Sequence, residues 1–335
     1  MSVSWGVLST ARINRLVLAG AAESDRVDVI AVASRDGARA KAYARERGIE
    51  RAYGSYDALL ADADVEAVYV PLPNSMHVEW TLRALEAGKH VLCEKPFSRR
   101  PSEVERAFDV AESSGLVLSE GFMWRHHPQS KKLAELVADG AVGPLRLVRA
   151  AFSFQLSAVH GADDARFRPE LDGGALMDVG CYCVNGIRFL AGEPEHVYAE
   201  QVVGPSGVDV CVAGTLRCSN DVVAYFDCGF VLPYRAALEV VGEDASLVVA
   251  DPWHVHSPGI TLRRGEKEER IHVEPANSYR LELENMSAAI RGEAPLLLGR
   301  ADAVGQARAI DALYRSATAA APVELEAAPV PMSPR

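Results

Sequence analysis

His90-Val91-Leu92-Cys93-Glu94-Lys95-Pro96-Phe97 is the stretch that decides the fold. An apolar run, Val91 to Cys93, ends abruptly in two charges and a proline. A strand covered on both faces of a parallel sheet reads this way, and ligands of open α/β sheets gather beyond the carboxyl ends of such strands. Pro96 stops the ladder and fixes the direction in which the chain leaves, so Lys95 is held at a sheet edge instead of in open solvent. A lysine so placed serves as a fixed cation or as an acid. On these residues alone, an ordinary strand-end ion pair explains it equally well.

Working outward, strand and helix patterns alternate on either side of this stretch. Val3 to Leu8 is a short apolar strand, and Ala11 to Ala22 has helical spacing. Val27 to Ala33 is a second strand, followed by an alanine-rich helix, Gly37 to Arg47, that stops at Gly48. A short helix (Tyr56 to Ala61), a third strand (Val65 to Val70), a helix from Ser75 to Ala87, a helix from Pro101 to Ser114 and a strand from Leu116 to Ser119 complete the series. Such alternation predicts an α/β fold with a doubly wound parallel sheet. Past Leu145 the pattern changes to strands, several of them alternating, as in Val208-Asp209-Val210-Cys211-Val212. This predicts an α+β region with a large, mostly antiparallel open sheet covered on one face. Helical patterns interrupt it at Ala175 to Leu190, Ser278 to Arg291 and Arg300 to Thr318, while the mixed-sign run Glu266 to Arg270 reads as a solvated turn. The expected division is 1–120, 121–326 and a disordered proline-rich tail, 327–335.

With 335 residues the chain exceeds what one hydrophobic core usually serves, so two domains are expected. A formal net charge of -11 argues against nucleic acid and against an anionic membrane surface, both of which reward basic patches. The six cysteines lack C-x-x-C spacing and read as reduced core residues. No leader-like segment opens the sequence, and a cytoplasmic location is expected. The adjacent pair His126-His127 points apart and has no third ligand at suitable spacing, so no metal is expected.

The first strand-to-helix turn reads Gly6-Val7-Leu8-Ser9-Thr10-Ala11-Arg12-Ile13-Asn14. A dinucleotide fingerprint would place glycine where Ser9, Ala11 and Asn14 stand, so a strict search fails. Small residues still let a backbone approach a pyrophosphate, and a helix N-terminus still offers free N–H groups. At the end of the second strand, where NAD enzymes usually carry an acid, stand Ser34 and Arg35. A guanidinium plus a hydroxyl suits a 2′-phosphate, which favours NADP; Asp36 next door keeps NAD open as the alternative.

Glu94-Lys95-Pro96, Pro71-Leu72-Pro73-Asn74-Ser75-Met76-His77, Gly121-Phe122-Met123-Trp124-Arg125-His126-His127-Pro128 and Gly173-Gly174-Ala175-Leu176-Met177-Asp178-Val179-Gly180-Cys181-Tyr182 together resemble the glucose-fructose oxidoreductase / inositol dehydrogenase / rhizopine-catabolism (Gfo/Idh/MocA) oxidoreductase family. The branch most similar holds dimeric dihydrodiol dehydrogenase and NADP-linked xylose dehydrogenases. The resemblance covers nearly the whole chain. It implies an N-terminal Rossmann domain and a C-terminal substrate-binding domain whose sheet forms a homodimer or a dimer of dimers. It also implies hydride transfer between nicotinamide and a sugar or cyclic polyol carbon. Position by position, it makes Lys95, Tyr182 and Asp178 catalytic. Ser9, Thr10, Ala11, Arg12, Ile13, Ser34, Arg35, Pro71, Asn74, His77, Glu94, Lys95, Trp124 and Arg125 are the cofactor candidates. Lys95, Trp124, Arg125, Asp178 and Tyr182 are the substrate candidates. Asn185 replaces an aspartate common in the family, and the glycine-poor turn is the other departure.

The chemistry also stands on the residues themselves. Asp178 and Tyr182 lie four apart at the start of a helical pattern, hence on one face. Reduction of a carbonyl needs a proton donor at the developing alkoxide and positive charge beside it. A free tyrosine titrates near pH ~10, and an adjacent ammonium lowers that value. Tyr182 is therefore expected as acid/base, Lys95 as the cation that activates it, and Asp178 as the orienting group. Arg166 and Arg168 reach substrate or stay solvated, and Phe152 and Phe154 read as sheet core. Two other classes fit the same fold: a non-catalytic nucleotide-binding regulator, and an NAD-dependent glycoside hydrolase.

Overall fold

A computed structural model describes residues 1–219 and 221–325, so the tail expected at 327–335 lies outside the described residues. The chain forms two compact units, one of Met1–Pro128, Glu170–Asp172 and Pro275–Val304, the other of Gln129–Pro169, Gly173–Glu274 and Gly305 onward. This division is not the linear one expected at residue 120. Residues 121–128, 170–172 and 275–304 pack with the first unit.

The first unit is built on six parallel strands: β1 (Val3–Leu8), β2 (Val27–Ala33), β3 (Arg51–Tyr53), β4 (Ala67–Val70), β5 (His90–Glu94) and β6 (Leu118–Gly121). Their order is β3-β2-β1-β4-β5-β6. The winding therefore reverses between β1 and β4, and the crevice beyond their carboxyl ends is where such sheets bind ligands. The connecting helices are α1 (Asn14–Ala22), α2 (Gly37–Arg47), α3 (Tyr56–Leu60), α4 (His77–Glu86) and α5 (Pro101–Ser113). Local chemistry sets their ends. Asp36 caps α2 by accepting the N–H groups of Ala38 and Arg39, and Gly48 closes it at φ 70°. At Gly6 inside β1 the α3 side chains come close, since a Cβ there would lie 2.7 Å from Leu59 Cδ2.

A helix from the far end of the chain, Ser278–Ile290, completes this core. Asn277 caps it, and it inserts Leu283 and Met286 among Val3, Trp5, Val17 and Tyr69. The approach to α1 is close: a Cβ on Gly20 would stand 2.7 Å from the Arg280 nitrogen. Arg291, just past the helix, donates to both carboxylate oxygens of Glu66 at 2.7 and 2.8 Å.

The second unit holds nine strands: β7 (Leu145–Gln155), β8 (Pro194–Val203), β9 (Asp209–Cys218), β10 (Val223–Gly229), β11 (Val231–Gly242), β12 (Ser246–Val249), β13 (Ile260–Arg264), β14 (Lys267–Ile271) and β15 (Val323–Glu324). They run in the order β14-β13-β12-β11-β7-β10-β9-β8-β15. Neighbours are antiparallel except β7 and β10, which pair in parallel. On β9 the residues Val212, Gly214, Leu216 and Cys218 are buried, while Ala213, Thr215 and Arg217 are exposed, as expected of a sheet covered on one face. The helix Cys181–Ala191 packs over β7 and β10 on the buried side. The Glu266–Arg270 run is not a turn. Residues 267–271 form an edge strand, the turn itself is at Gly265 (φ 58°), and Arg263 pairs across the hairpin with Glu268 at 2.7 Å. A strand exposed on both faces has no apolar alternation to reveal it.

Leu283→Ala is expected to remove about 2–5 kcal/mol of stability by leaving a cavity in the first unit's core. Urea unfolding followed by hydrogen exchange checks this: amides of β1 and of the helix 278–290 should lose protection together. Protection lost only in the second unit would contradict the assignment of this helix.

Candidate functional site

The β1–α1 turn keeps the backbone of a nucleotide cradle without its glycines. Ser9 sits at φ 144°, a region that favours glycine, and its hydroxyl donates to the Pro71 carbonyl at 3.2 Å while accepting the Ala11 N–H. That bond joins the ends of β1 and β4 at the point where the sheet reverses. Asn14, fully buried at the third glycine position, donates its amide to the Ser9 carbonyl at 2.8 Å. An amide side chain thus holds the loop shape that glycine would otherwise allow. Ile13 leads into α1, and Arg12 is exposed beside it.

The end of β2 is electropositive. Tyr56 interacts with the charges of Arg35 and Arg39, with Arg35 also a hydrogen-bond partner; burial still raises the phenol above its ordinary value. Arg39 was not among the residues expected from sequence, although it lies in the first turn of α2, four after Arg35. Asp36, the reason for keeping NAD open, spends its carboxylate on capping α2, where it accepts from Ala38 at 2.8 Å. Ser34 accepts the Asp36 N–H through its hydroxyl. Two arginines with the neighbouring acid withdrawn fit a 2′-phosphate and fit a bare ribose hydroxyl poorly.

The segment carrying Lys95 is held along its length. Tyr69 donates its hydroxyl to Glu94 Oε1 at 2.5 Å, and the Lys95 N–H is 3.2 Å from Glu94 Oε2. The Phe97 N–H donates to Glu120 at 2.7 Å. His77 lies between two carbonyls, Nδ1 at 2.9 Å from Pro96 O and Nε2 at 2.8 Å from Leu72 O, and is fully buried. His77 was expected to touch the cofactor. Instead the structure commits both of its ring nitrogens to main chain, tying the loop after β4 to the loop after β5. Asn74 likewise donates its amide to the Asp172 carbonyl at 2.9 Å. Trp124 is almost wholly buried, and Arg125, with its guanidinium 5.8 Å from that ring, pairs with Asp302 at 3.2 Å. Beneath Glu94, the Glu282 carboxyl is pushed well above its usual range by burial and then by the Glu94 charge.

In the second unit, Asp178 and Tyr182 stand on a distorted helix start. The expected regular helix from Ala175 is instead a π-helical turn, Leu176–Gly180, that passes into the α-helix at Cys181. Such wide turns are frequent at functional sites. Asp209 on β9 anchors it: one carboxylate oxygen accepts the Leu176 N–H at 2.7 Å and the other the Tyr314 hydroxyl at 2.9 Å. Gly174 is required here, since a Cβ would lie 2.1 Å from Asp209 Oδ1. Arg166, not solvated as one reading had it, donates to Asp178 at 3.0 Å and to both oxygens of Asp164 at 2.8 and 3.2 Å. Burial works against the Arg166 charge, and the two carboxylates more than offset it, pushing its pKa up. Tyr182 lies in an aromatic setting, with ring centroids of Phe152, Trp253 and His254 at 5.5, 6.0 and 6.4 Å. Trp253 is fixed by donating to the Ala151 carbonyl at 3.0 Å. Asp164, Asp209, Trp253 and His254 were not legible as site residues, because only the folded sheet and its loops bring them near 176–182.

A Rossmann unit with a held lysine at its fifth strand end, followed by a sheet domain bearing an aspartate–tyrosine helix start, defines a nicotinamide-dependent oxidoreductase. The comparisons agree. The profile of the "Oxidoreductase family, NAD-binding Rossmann fold" matches residues 4–122, and that of the GFO/IDH/MocA C-terminal domain matches 130–248. The chain belongs to the Gfo/Idh/MocA oxidoreductase family. It is 39% identical over 327 residues to a D-xylose 1-dehydrogenase (NADP(+)) of Haloferax volcanii, covering 96% of this chain and 99% of that one. It is 36% identical to a dTDP-3,4-didehydro-2,6-dideoxy-α-D-glucose 3-reductase of Streptomyces violaceoruber, over 77% of this chain and 76% of the relative. Among solved structures, a 3-ketoreductase of Actinomadura kijaniata in complex with NADP and TDP-benzene superposes with a TM-score of 0.87 at 32% identity, covering 94% of this chain and 98% of that one.

Three histidines of the first unit give the stability a pH dependence. Burial, with the Arg125 charge second, pulls His126 down to about 3. Burial also lowers His90, and lowers His77 despite the two carbonyls that favour its charged form. Unfolded imidazoles titrate near ~6.5, so below that pH the unfolded chain binds more protons than the folded one. Stability is then complete above that pH and is lost as pH falls through it, by up to about 1.4 kcal/mol per pH unit for each histidine. Urea midpoints measured from pH 7.5 to 5 are expected to fall; constant midpoints would contradict the buried neutral rings. A second expectation concerns Asp209→Ala, which removes two hydrogen bonds from the 176–180 turn. It should lower kcat by about tenfold or more with NADPH affinity little changed. Steady-state kinetics beside NADPH titration tells this from general unfolding, which would lower both.

Proposed function

We propose that this protein is an NADP-dependent dehydrogenase/reductase acting on the hydroxyl or carbonyl carbon of a sugar or cyclic polyol. The observation that carries the reading is the locked Glu94-Lys95-Pro96-Phe97 segment: its main chain is bonded at the Lys95 N–H, the Pro96 carbonyl and the Phe97 N–H, and Tyr69 holds the Glu94 carboxylate to which Lys95 is bonded. Such fixing gives an ammonium a constant position at a developing alkoxide, where preorganised charge is worth most. The bound dinucleotide supplies or accepts the hydride. Arg35 and Arg39 would hold its 2′-phosphate, and the β1–α1 turn would offer main-chain N–H groups to its pyrophosphate.

Tyr182 delivers the proton to the alkoxide in reduction and takes it back in oxidation, and Lys95 polarises the reacting oxygen. Asp178 orients these groups. Its Oδ2 is committed to Arg166 at 3.0 Å, which makes it a fixed anion and a poor proton shuttle. Named relatives support a sugar-like substrate while leaving its charge open, since one acts on D-xylose and another on a dTDP-linked sugar. The reading includes a cytoplasmic location, in keeping with six free cysteines. It also includes a homodimer formed through the second unit's sheet. Val223 and Tyr225, alternate residues on β10, are both more than 40% exposed, apolar side chains on the uncovered face of the kind that partners cover.

Arg35→Ala with Arg39→Ala should weaken NADPH binding at least about tenfold, leaving NADH binding within about twofold, read by nicotinamide fluorescence. Equal loss for both dinucleotides would refute the 2′-phosphate assignment. Tyr182→Phe should cut turnover about a hundredfold or more while NADPH binding persists. Turnover that survives the substitution would move the proton to Lys95.

A further inference from the structure

We infer that Asp164, Arg166 and Asp178 make this site selective for uncharged sugars over phosphorylated or nucleotide-linked ones, with Asp164 as the residue that sets the selectivity. The inference rests on the reading of Asp178 and Tyr182 as the substrate side of the molecule, and adds to it the charge of the ligand. Arginine is the side chain best suited to a phosphate, because its planar fork offers paired donors. Arg166 touches Asp178, and all three of its guanidinium nitrogens already hold a carboxylate oxygen. Nε and one terminal nitrogen bond to the two oxygens of Asp164, and the other terminal nitrogen bonds to Asp178.

Two carboxylates around one guanidinium leave the group with a net negative charge. It is poorly screened, since the side chains of Asp164 and Asp178 are only 8% and 17% exposed. Asp164 is locked further by accepting the Arg166 N–H at 3.1 Å, so the clamp does not open by a simple rotation. Within the second unit the same segment, residues 160–169 and 173–182, adds one further carboxylate, Asp163, and one further arginine, the exposed Arg168. Around Tyr182 the neighbours are the rings of Phe152, Trp253 and His254. Phe152, and Trp253 with its N–H spent on the Ala151 carbonyl, pack against the C–H face of a sugar and offer nothing to a phosphate dianion. The same guanidinium, released from Asp164, would become a phosphate ligand.

The test compares an aldopentose with its 5-phosphate, each titrated into NADPH-loaded protein and read by the change in nicotinamide fluorescence. Wild type is expected to bind the ester at least about tenfold more weakly than the parent sugar. Asp164→Asn keeps the acceptor for the Arg166 N–H but removes one charge. It should narrow that gap about tenfold, mainly through tighter binding of the ester. Asp164→Glu, which keeps the charge, should keep the gap, and this separates charge from any loss of packing. An ester bound by wild type as tightly as the sugar, or a gap unchanged in Asp164→Asn, would overturn the inference. If the gap behaves as expected but no sugar is oxidised or reduced, the selectivity stands and the proposed reaction falls.

Discussion

One buried imidazole fixes the part of the molecule on which the chemistry turns. His77, at the start of α4, reaches Leu72 O after β4 and Pro96 O after β5, at 2.8 and 2.9 Å. A neutral ring has one N–H for two carbonyls, and both would be better served by a second proton. Burial and the charge of Lys95 nevertheless keep the ring's pKa low. The neutral ring donates to one of the two carbonyls and packs against the other, so it sits wedged between adjacent strand ends, where no solvent competes for its bond and a low local dielectric strengthens it. Tyr69 to Glu94 and Phe97 to Glu120 extend the same hold along the chain. Lys95 is thereby presented from a frame held by residues of the first unit.

The second unit solves the corresponding problem with a carboxylate. Asp209, buried on β9, binds the Leu176 N–H at the start of the π-helical turn and the Tyr314 hydroxyl. Its own pKa is raised by burial, a cost that the hydrogen bonds it accepts partly offset. The Arg166 clamp then fixes Asp178 from the other side. Asp178 and Tyr182 thus owe their positions to residues remote in sequence, on β9 and in the 164–166 loop, and Gly174 is the backbone feature that lets β9 come so close.

Much of the fold was legible because burial on both faces leaves a plain trace. β1 and β2 match the apolar runs residue for residue, and α2 ends at the glycine that closes it in the sequence. β3 and the hairpin β13–β14 were not found, since β3 spans three residues, β13 alternates over only Ile260-Thr261-Leu262, and the exposed β14 carries no apolar period. The helix 278–290 was read correctly as a helix but placed with the wrong half. Its amphipathic pattern says that Leu283 and Met286 are covered, not that β1 and α1 cover them. The site divides in the same way. Lys95, Asp178 and Tyr182 sit in short contiguous motifs and could be named, whereas Arg39, Asp164, Asp209 and Trp253 owe their roles to contacts that only folding creates. His77 shows the converse: a motif residue found where expected and given a structural task.

Direct hydride transfer is the claim on which the rest depends, and isotope tracing measures it most simply. The protein is incubated with NADP and an aldopentose deuterated at its carbon-bound hydrogens, and the reduced dinucleotide is analysed by mass spectrometry and proton NMR. The account predicts one deuterium on the nicotinamide C4, on a single face, in wild type and far less in Tyr182→Phe. Reduced dinucleotide without deuterium, or none formed with any uncharged sugar, would contradict it.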